Sequence, residues 1–308
     1  MIHIFIINHS AGSKHLAKDL RSHLAQIEGL QYFVFNTIDA GFETDIVEKI
    51  CKYFDGEQLR FYCCGGSGTM RNMLNGFSDL SNVEVAFFPC GLTNDFLKTF
   101  PDETPFKNID NLIYGKVIPV DYIKTNYGVA INTISFGFDT DVEINMRTFR
   151  IYDIFSSMVP YILSLIGSLV FLKPKAVRLT IDGEEVSDKF IEIIFANGCV
   201  LGGNLYISER TRIDDGRATY VSVPCITGVK ALKVLLQLMN KKLPELKDKI
   251  DVGECKKMEI KSTDGKPLYI NFDGELVKCG DSCKIQIVRK GLKLVVPQEV
   301  ELTEYVLQ

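Results

Sequence analysis

The sequence has no excess of positive charge. Its 308 residues include 35 lysines and arginines against 39 aspartates and glutamates, which gives a formal net charge of −4. Proteins that bind nucleic acids generally use a basic surplus to neutralise the phosphates. The composition therefore argues against a nucleic-acid partner, although it leaves room for a local basic patch.

The nine cysteines lack the spacing of a zinc site. Cys279 and Cys283 do not form a C-x₂-C pair, and no cluster of cysteines and histidines accompanies them. Cys63 and Cys64 are adjacent in a predicted strand, where neighbouring side chains point to opposite faces. Buried thiols are the simplest interpretation. Because a signal-peptide pattern is also missing, the expected compartment is a reducing cytosol.

No uninterrupted apolar run indicates a membrane span. Residues 154–172 carry no charged side chain, and this length approaches that of a transmembrane helix. However, Pro160, Gly167 and several serines interrupt the stretch, and its flanks are ordinary. We therefore expect a helix that is buried or that faces a membrane.

Strand and helix patterns alternate in the first third of the chain. Such alternation indicates βα units, a parallel sheet and right-handed crossovers. The predicted strands are His3–Asn8, Tyr32–Thr37, Leu59–Cys64 and Val83–Pro89, and the predicted helices are Lys14–Glu28, Phe42–Phe54 and one that starts at Thr69.

Strands dominate after about residue 116, and Asp-Gly pairs mark several of the turns. The predicted strands are Val117–Thr125, Val129–Ser135, Lys175–Ile181, Phe190–Asn197, Ala218–Val223, Lys256–Ser262, Leu268–Phe272 and Lys284–Val288, with helical stretches at 143–172 and 227–243. This pattern predicts a sandwich or an open barrel. The fold class is thus α/β, with an N-terminal parallel-sheet domain at 1–116 and a C-terminal β-rich, sandwich-like domain at 117–294. The tail at 295–308 could return to the first domain.

A glycine-rich turn follows the third predicted strand, where residues 65–69 read Gly-Gly-Ser-Gly-Thr. Glycine permits unusual backbone angles, so N–H groups of the turn and of the next helix can converge on an anion. A plain βα turn is the alternative. The G-x-x-x-x-G-K-[ST] phosphate loop is absent, and Arg71 stands where the dinucleotide fingerprint has its last glycine.

A second glycine turn follows the next strand, where residues 89–96 read Pro-Cys-Gly-Leu-Thr-Asn-Asp-Phe. Thr93 or Asn94 could simply cap a short helix. However, two such turns lie at the carboxyl ends of successive strands, which is where open α/β sheets bind ligands. Asp95 would then direct a carboxylate toward a nucleotide and its magnesium ion.

Together the two turns resemble the diacylglycerol kinase catalytic family, which includes sphingosine kinases and bacterial lipid kinases. The family's Asn-Pro-x-[Ser/Gly]-Gly, G-G-D-G-T and P-x-G-T-x-N-D-F segments are similar to residues 8–12, 65–69 and 89–96. Further similar segments follow in family order, at Val120-Asp121, 131–139, 197–203, 213–216 and Asp273-Gly274-Glu275. The resemblance covers nearly the whole chain.

The resemblance implies a lipid kinase that uses ATP and Mg²⁺ to phosphorylate a hydroxyl of diacylglycerol or a similar lipid. It implies a nucleotide-binding first domain and a lipid-substrate second domain. Its implied nucleotide-binding residues are Asn8, Ser10, Gly12, Thr37, Gly65, Gly66, Ser67, Gly68, Thr69, Gly91, Thr93 and Asn94. Its implied magnesium residues are Asp95, Asp121 and Asp215.

The same resemblance makes Asp273 the base that accepts the hydroxyl proton, with Glu275 beside it. Without the resemblance, Asp273-Gly274 is a hairpin turn. Asp182-Gly183-Glu184 has the same letters and is interpreted only as a turn. The pair Asp214-Asp215 could bind a structural divalent ion or form a solvated turn.

Two positions depart from the family pattern. Ser67 stands where the family has Asp, and Leu92 stands where it usually has Thr. A neutral serine oxygen is a weaker partner for Mg²⁺ and its water, and outer-shell partners are typically worth about 10–100-fold. A weakened enzyme is therefore expected, with an inactive nucleotide- or lipid-binding regulatory protein as the alternative. An NAD kinase also has a G-G-D-G-T turn, but the second glycine turn and the late Asp-Gly-Glu argue against it.

A lipid acceptor must come from a membrane. The helical stretch 143–172 and the lysines of the later helix could rest on anionic lipid, the lysines being Lys230, Lys233, Lys241 and Lys242. Core packing with a solvated lysine edge is the alternative. We expect peripheral contact at the inner face of the membrane, and a homodimer is left open.

Overall fold

The structure, a computed structural model, describes residues 1–8, 16–37, 41–91, 94–150, 158–246 and 248–307. Its first part consists of βα units. The strands are β1 (Ile2–Asn8), β2 (Tyr32–Thr37), β3 (Leu59–Gly65) and β4 (Glu84–Pro89), and the helices are α1 (Leu16–Leu24), α2 (Phe42–Tyr53) and α3 (Ser67–Leu74). These strands are parallel in the order β4-β3-β1-β2. β1 and β3 are almost completely buried, as expected for apolar strands that are covered on both faces.

The three helices of this part differ from their predicted bounds, α2 only by ending one residue earlier, at Tyr53. α1 ends at Leu24, where the prediction continued to Glu28, because Ala25 and Gln26 close the helix with turn hydrogen bonds to Arg21 and His23. α3 begins at Ser67, two residues before the predicted start. Helix propensity does not predict this start, because Ser67 lies between glycines 66 and 68 and glycine is a poor helix former.

The second part is mainly antiparallel. Its short helix α4 (Ile109–Ile113) precedes the strands β5 (Lys116–Thr125), β6 (Gly128–Ala130), β7 (Thr133–Gly137), β8 (Lys175–Ile181), β9 (Glu184–Ala196), β10 (Val200–Leu201), β11 (Leu205–Tyr206), β12 (Arg210–Thr211), β13 (Ala218–Pro224), β14 (Asp251–Cys255), β15 (Lys257–Ser262), β16 (Tyr269–Phe272), β17 (Glu275–Lys278), β18 (Ser282–Val296) and β19 (Tyr305–Val306). The predicted fold class, a parallel sheet followed by a β-rich domain, is confirmed.

The predicted single strand Val129–Ser135 is wrong, because the chain forms two strands there, β6 and β7. The interruption lies at Ile131 and Asn132, whose backbone N–H groups bind a carboxylate instead of a neighbouring strand. This local exchange of partners has no signal in the apolar pattern.

The strand β18 joins the two parts. Its 15 residues pair with β15 and β5 in the antiparallel sense, and Lys293–Val295 pair in parallel with β4. Leu292 and Leu294 are buried in the core of the first part. The register with β5 shifts between Val288 and Leu292. The end of β18 therefore lies in the parallel sheet, while the domain boundary near residue 116 stays a prediction.

Three longer helices accompany the second part: α5 (Phe138–Arg150), α6 (Met158–Val170) and α7 (Gly228–Met239). The first helical stretch was predicted to begin at residue 143, but α5 begins directly after β7. Within the described ranges, no helix is both long and apolar enough to cross a membrane.

Candidate active site

The two glycine turns touch through their backbones. The N–H groups of Cys90 and Gly91 both donate to the Gly65 carbonyl, at 3.0 and 3.1 Å. A side chain on Gly91 would overlap the backbone of Gly66, so this approach requires glycine. The amide of Asn94 closes the second turn by donating to the Gly91 carbonyl at 3.2 Å. The turns predicted to lie at adjacent strand ends thus form one continuous surface.

The first turn is tied to the end of β1. The Asn8 amide donates to the Thr69 hydroxyl at 2.9 Å. Behind them the fully buried carboxylate of Glu43 gathers several donors. These donors are the side chains of Thr37, Asn8 and Asn72 and the N–H of Gly41, at 3.0 to 3.4 Å. Two predicted nucleotide residues, Asn8 and Thr37, therefore bind a carboxylate that the sequence pattern did not single out, and Asn8 links it to a third, Thr69.

Ser67 is buried at the start of α3. Beside it, a Cβ placed on Gly68 would lie 3.2 Å from the Glu275 carboxylate, so Glu275 lies directly over the turn. The first glycine turn and the late Asp-Gly-Glu segment are thus in contact, although they are distant in the sequence. Ser10, Gly12, Leu92 and Thr93, also singled out in the sequence, lie outside the described residues.

Asp95 is buried at the end of the second turn. One carboxylate oxygen accepts a hydrogen bond from the Gly203 N–H at 3.0 Å, and the other lies 3.7 Å from the Lys98 ammonium. Burial raises the pKa of Asp95, while the Gly203 N–H and Lys98 oppose the rise. In the part of the chain that is described, Asp95 Oδ1 and Asn94 Oδ1 are buried without a hydrogen-bond partner. Two such oxygens suit a hard divalent cation.

Asp121 does not share the surroundings of Asp95 and is fully buried in β5. Its two carboxylate oxygens accept from the N–H groups of Gly216 and Lys290 at 2.7 and 2.6 Å. Lys290 has a φ of 49° at the irregularity of β18, which turns its N–H toward the carboxylate. Burial raises the pKa of Asp121, and the two N–H donors oppose that rise. The structure therefore gives Asp121 and Asp95 separate sets of partners.

The Asp214-Asp215 pair forms a compact turn. Asp215 accepts from the Arg217 N–H at 2.9 Å, and burial raises its pKa. Asp214 pairs with Arg212 at 2.9 Å and with the Lys290 ammonium at 3.5 Å. Within the described ranges, no three acidic, histidine or cysteine side chains are grouped so as to hold a metal ion. The magnesium roles of Asp121 and Asp215 stay predictions.

Asp273 occupies the hairpin between β16 and β17. Its φ of 50° and the 91° of Gly274 fit a two-residue hairpin turn, as the sequence predicted. The carboxylate accepts from the N–H groups of Ile131, Asn132 and Thr133 at 2.7, 3.0 and 2.7 Å. Burial raises the pKa of Asp273 to about 6, against the opposing effects of these donors and of the nearby guanidinium of residue 71.

Arg71 is a residue whose position the sequence did not reveal. Its guanidinium lies over the Phe272 ring, 5.5 Å from the centroid, and so connects α3 with the hairpin. Burial lowers the pKa of Arg71, whereas the charges of Asp273 and Glu275 oppose this. The sequence predicted that Arg71 lies one turn into a helix after a glycine turn. It did not predict the contact with a hairpin about 200 residues away.

Two further carboxyls, those of Asp139 and Glu192, lie next to the hairpin and support it. Asp139, at the start of α5, accepts hydrogen bonds from the Ser135 hydroxyl and the Asn271 amide, both at 2.6 Å. Its N–H donates to Glu192 at 2.8 Å. Burial raises the pKa of both carboxyls, and their proximity raises that of Glu192 further. Asn271 in turn accepts from the Gly274 N–H at 2.8 Å, so this group fixes the Asp273 turn.

Comparison with protein families matches both parts of the chain. Residues 3–125 match the model of the diacylglycerol kinase catalytic domain, and residues 132–296 match that of the YegS C-terminal NAD kinase beta sandwich-like domain. The chain belongs to the diacylglycerol kinase catalytic-domain family. The resemblance inferred from the motifs is thereby confirmed.

The chain is only distantly similar to the relatives that it matches. It is 26% identical over 216 residues to "Diacylglycerol kinase" of Bacillus subtilis, a match that covers 64% of this chain and 66% of that protein. It is 23% identical over 239 residues to "Probable lipid kinase YegS-like" of Alcanivorax borkumensis, covering 76% and 77%. A crystal structure of a diacylglycerol kinase from Bacillus anthracis strain Sterne shares the fold, with a TM-score of 0.67, 20% identity and coverage of 97% and 98%.

Proposed function

We propose that this chain transfers the γ-phosphate of ATP to a hydroxyl of diacylglycerol or a similar lipid, with Mg²⁺ as the metal ion. The observation that carries the proposal is the contact between Glu275 and Gly68. It holds the hairpin with its candidate base against the turn that would hold the phosphates. Phosphoryl transfer needs mainly this kind of positioning and charge neutralisation.

The nucleotide phosphates would lie on the joined glycine turns. The first N–H groups of α3 point outward from the helix start, because the hydrogen bonds within the helix begin with the Met70 N–H and the Gly66 carbonyl. These N–H groups and the helix dipole favour an anion there. Arg71, beside the turn, adds a positive charge between the phosphate turn and the hairpin.

Asp95 and Asn94 are the residues best placed to hold Mg²⁺. Their Oδ1 atoms, buried and without a hydrogen-bond partner in the described part of the chain, fit such an ion, which would take the place of the Lys98 ammonium 3.7 Å from Asp95. When bound, the ion supplies neutralisation of phosphate charge. Asp121 lies apart from this pair and accepts from the N–H groups of Gly216 and Lys290, so Asp121 carries less of this proposal.

Asp273 would accept the proton of the lipid hydroxyl. A carboxylate has about four positions that accept a hydrogen bond. Backbone N–H groups use three of them in Asp273, which leaves one for the lipid hydroxyl. A pKa of about 6 suits a base that acts near neutral pH. Glu275 would help align the hairpin over the phosphates.

The direct test is incubation of the purified protein with labelled ATP, Mg²⁺ and a total lipid extract, followed by identification of the labelled product. A labelled phospholipid supports the proposal. Ser67, in place of the family Asp, favours a second candidate, a nucleotide- or lipid-binding regulatory protein without turnover. ATP binding without a labelled lipid would identify that candidate, and labelled NAD phosphate in a parallel reaction would identify an NAD kinase.

A further inference from the structure

An exposed apolar surface lies on α6 and α7. Its side chains are Ile166, Val170, Phe171, Val229, Leu232 and Leu236. Val170, Phe171 and Val229 are exposed to 70%, 75% and 82%. The two helices touch where Gly228 packs against the Leu169 carbonyl, so these side chains form one surface, which we name the α6–α7 face.

Over residues 164–170, the part of α6 whose side chains are described, the polar side of the helix is turned inward. Ser164 and Ser168 are buried, and the Ser168 hydroxyl accepts a hydrogen bond from the Asn145 amide of α5 at 2.8 Å. Ile166 and Val170 of the same helix are exposed. A helix that lies in water buries its apolar side and exposes its polar side. The reversed arrangement of α6 indicates that its outer side contacts an apolar medium.

On α7 a second apolar row adds to this surface. Val229, Leu232 and Leu236 recur at spacings of three and four residues and therefore lie on one side of the helix. A different set, Val234, Leu235 and Leu238, fills the core. The core thus does not require the outer row to be apolar.

Positive charge borders the apolar row. Lys230 and Lys233 are exposed on α7, in a chain whose formal net charge is −4. An apolar stripe beside lysines is the pattern of a helix that lies on an anionic bilayer. In a two-fold pair of chains, the same face would meet itself and bring the lysines together, which disfavours a second copy.

The face adjoins the candidate active site. The Asn145 amide of α5 donates to Ser168 in the last turn of α6, and Lys175, the first residue of β8, pairs with Asp141 at 2.8 Å, so the C-terminal end of α6 lies beside the first turns of α5. These first turns contain Asp139, which binds the Asn271 amide behind the Asp273 turn. A bilayer on this face would therefore lie near the hairpin.

We propose that the α6–α7 face is the membrane-docking surface of this chain and that its partner is a bilayer containing anionic phospholipid. The proposal rests on the proposed function in one respect, because the docked bilayer would supply the acceptor lipid. The face itself is defined independently of catalysis, by the reversed polarity of α6 and the outer row of α7.

The test is co-sedimentation of the full chain with vesicles of phosphatidylcholine, with and without phosphatidylglycerol. Val170→Ser/Phe171→Ser should weaken binding by at least about tenfold, since apolar area no longer leaves water. Lys230→Gln/Lys233→Gln should weaken binding about tenfold on the anionic vesicles only. Tyr53→Ser and Lys18→Gln, exposed on α2 and α1, are the matched controls and should bind like wild type.

Activity measurements separate this proposal from the proposed function. With a short-chain, water-soluble diacylglycerol the docking variants should react like wild type, whereas with diacylglycerol in vesicles they should react more slowly. Vesicle binding through this face without phosphorylation of either acceptor would refute the kinase and leave the docking surface standing. Vesicle binding that is unchanged in both variants would overturn the docking surface. The same conclusion would follow if the wild type is a dimer and the variants lose the dimer but still bind vesicles like wild type.

Discussion

At the scale of single residues, Asp273 is held more firmly than a surface turn requires. Three backbone N–H groups bind its carboxylate, and its own N–H donates to the Thr133 carbonyl at 3.0 Å. The break between β6 and β7 supplies these donors, and Asp139 at the start of α5 holds the same hairpin through Asn271. Such over-determined geometry is what a positioned base needs.

Replacing Asp273 by Asn should lower turnover by about 10²–10⁴-fold while ATP affinity stays nearly intact, because only the acceptor proton loses its base. Steady-state kinetics and ATP binding would measure the two effects. Asp182→Asn is a matched control, since Asp182 also precedes a glycine, has a φ of 48° and accepts backbone N–H groups from Lys256 and Lys257. Full activity of the Asp273 variant would remove it from the mechanism.

The pH profile offers a second test of this residue. Since burial raises the pKa of Asp273 to about 6, its base form is lost as the pH falls through that value. We expect kcat/KM to decline below about pH 6, by up to about tenfold per pH unit. An acid limb near pH 4 instead would indicate an ordinary, solvated carboxylate.

Ser67→Asp tests whether the site is a weakened kinase. A carboxylate there should tighten the water around Mg²⁺, so turnover should rise about tenfold, with the largest gain at low magnesium. Rates measured across a magnesium series would show this. A raised KM for ATP and lower turnover at every magnesium concentration would instead mean that the added charge repels the phosphates.

The predictable residues were those that a local motif marks. Gly65 and Gly91 follow adjacent strands in short patterns, and the structure brings them together as the strand order implies. Glu43 and Arg71 were missed because their roles arise from contacts between distant parts of the chain. A single sequence carries no signal for such contacts.

At the scale of elements, the joined glycine turns make a close backbone contact within the site. Gly91→Ala should cost about 1–3 kcal/mol of unfolding free energy and weaken ATP binding, since the new methyl meets the Gly66 backbone. Gly167→Ala on α6, where the methyl meets nothing within 4 Å, should be neutral or slightly stabilising. Denaturant unfolding of both variants gives the comparison, and equal stability would show that the turns can separate without cost.

The sequence pattern predicted the bounds of a strand best where the strand keeps the same neighbouring strands along its whole length. Tyr32–Thr37 and Lys175–Ile181 were predicted with the bounds that the structure has. The last long strand was predicted at Lys284–Val288 but spans Ser282–Val296. Its irregularity around Lys290 and its change of partners disrupt the alternation that a single sheet face would impose.

At the scale of the whole molecule, the face on α6 and α7 and the lack of a spanning helix among the described residues lead to one expectation for membranes. Protein associated with isolated membranes should be released by alkaline or high-salt washing, because exposed charge attraction is screened by salt. Immunoblotting of pellet and supernatant would measure release. Retention after both washes would restore the option of an integral segment.

The pairing of β5 with β18 also limits how the two parts can move. β5 pairs with β18 along its length, and the end of β18 continues into the parallel sheet beside β4. The parts are therefore joined by a two-stranded ribbon in addition to any loop. Any closure over a nucleotide has to twist this ribbon, whose pairing is already interrupted next to Lys290. Because the Lys290 N–H donates to Asp121, a twist there would also change the hydrogen bonding of that buried carboxylate.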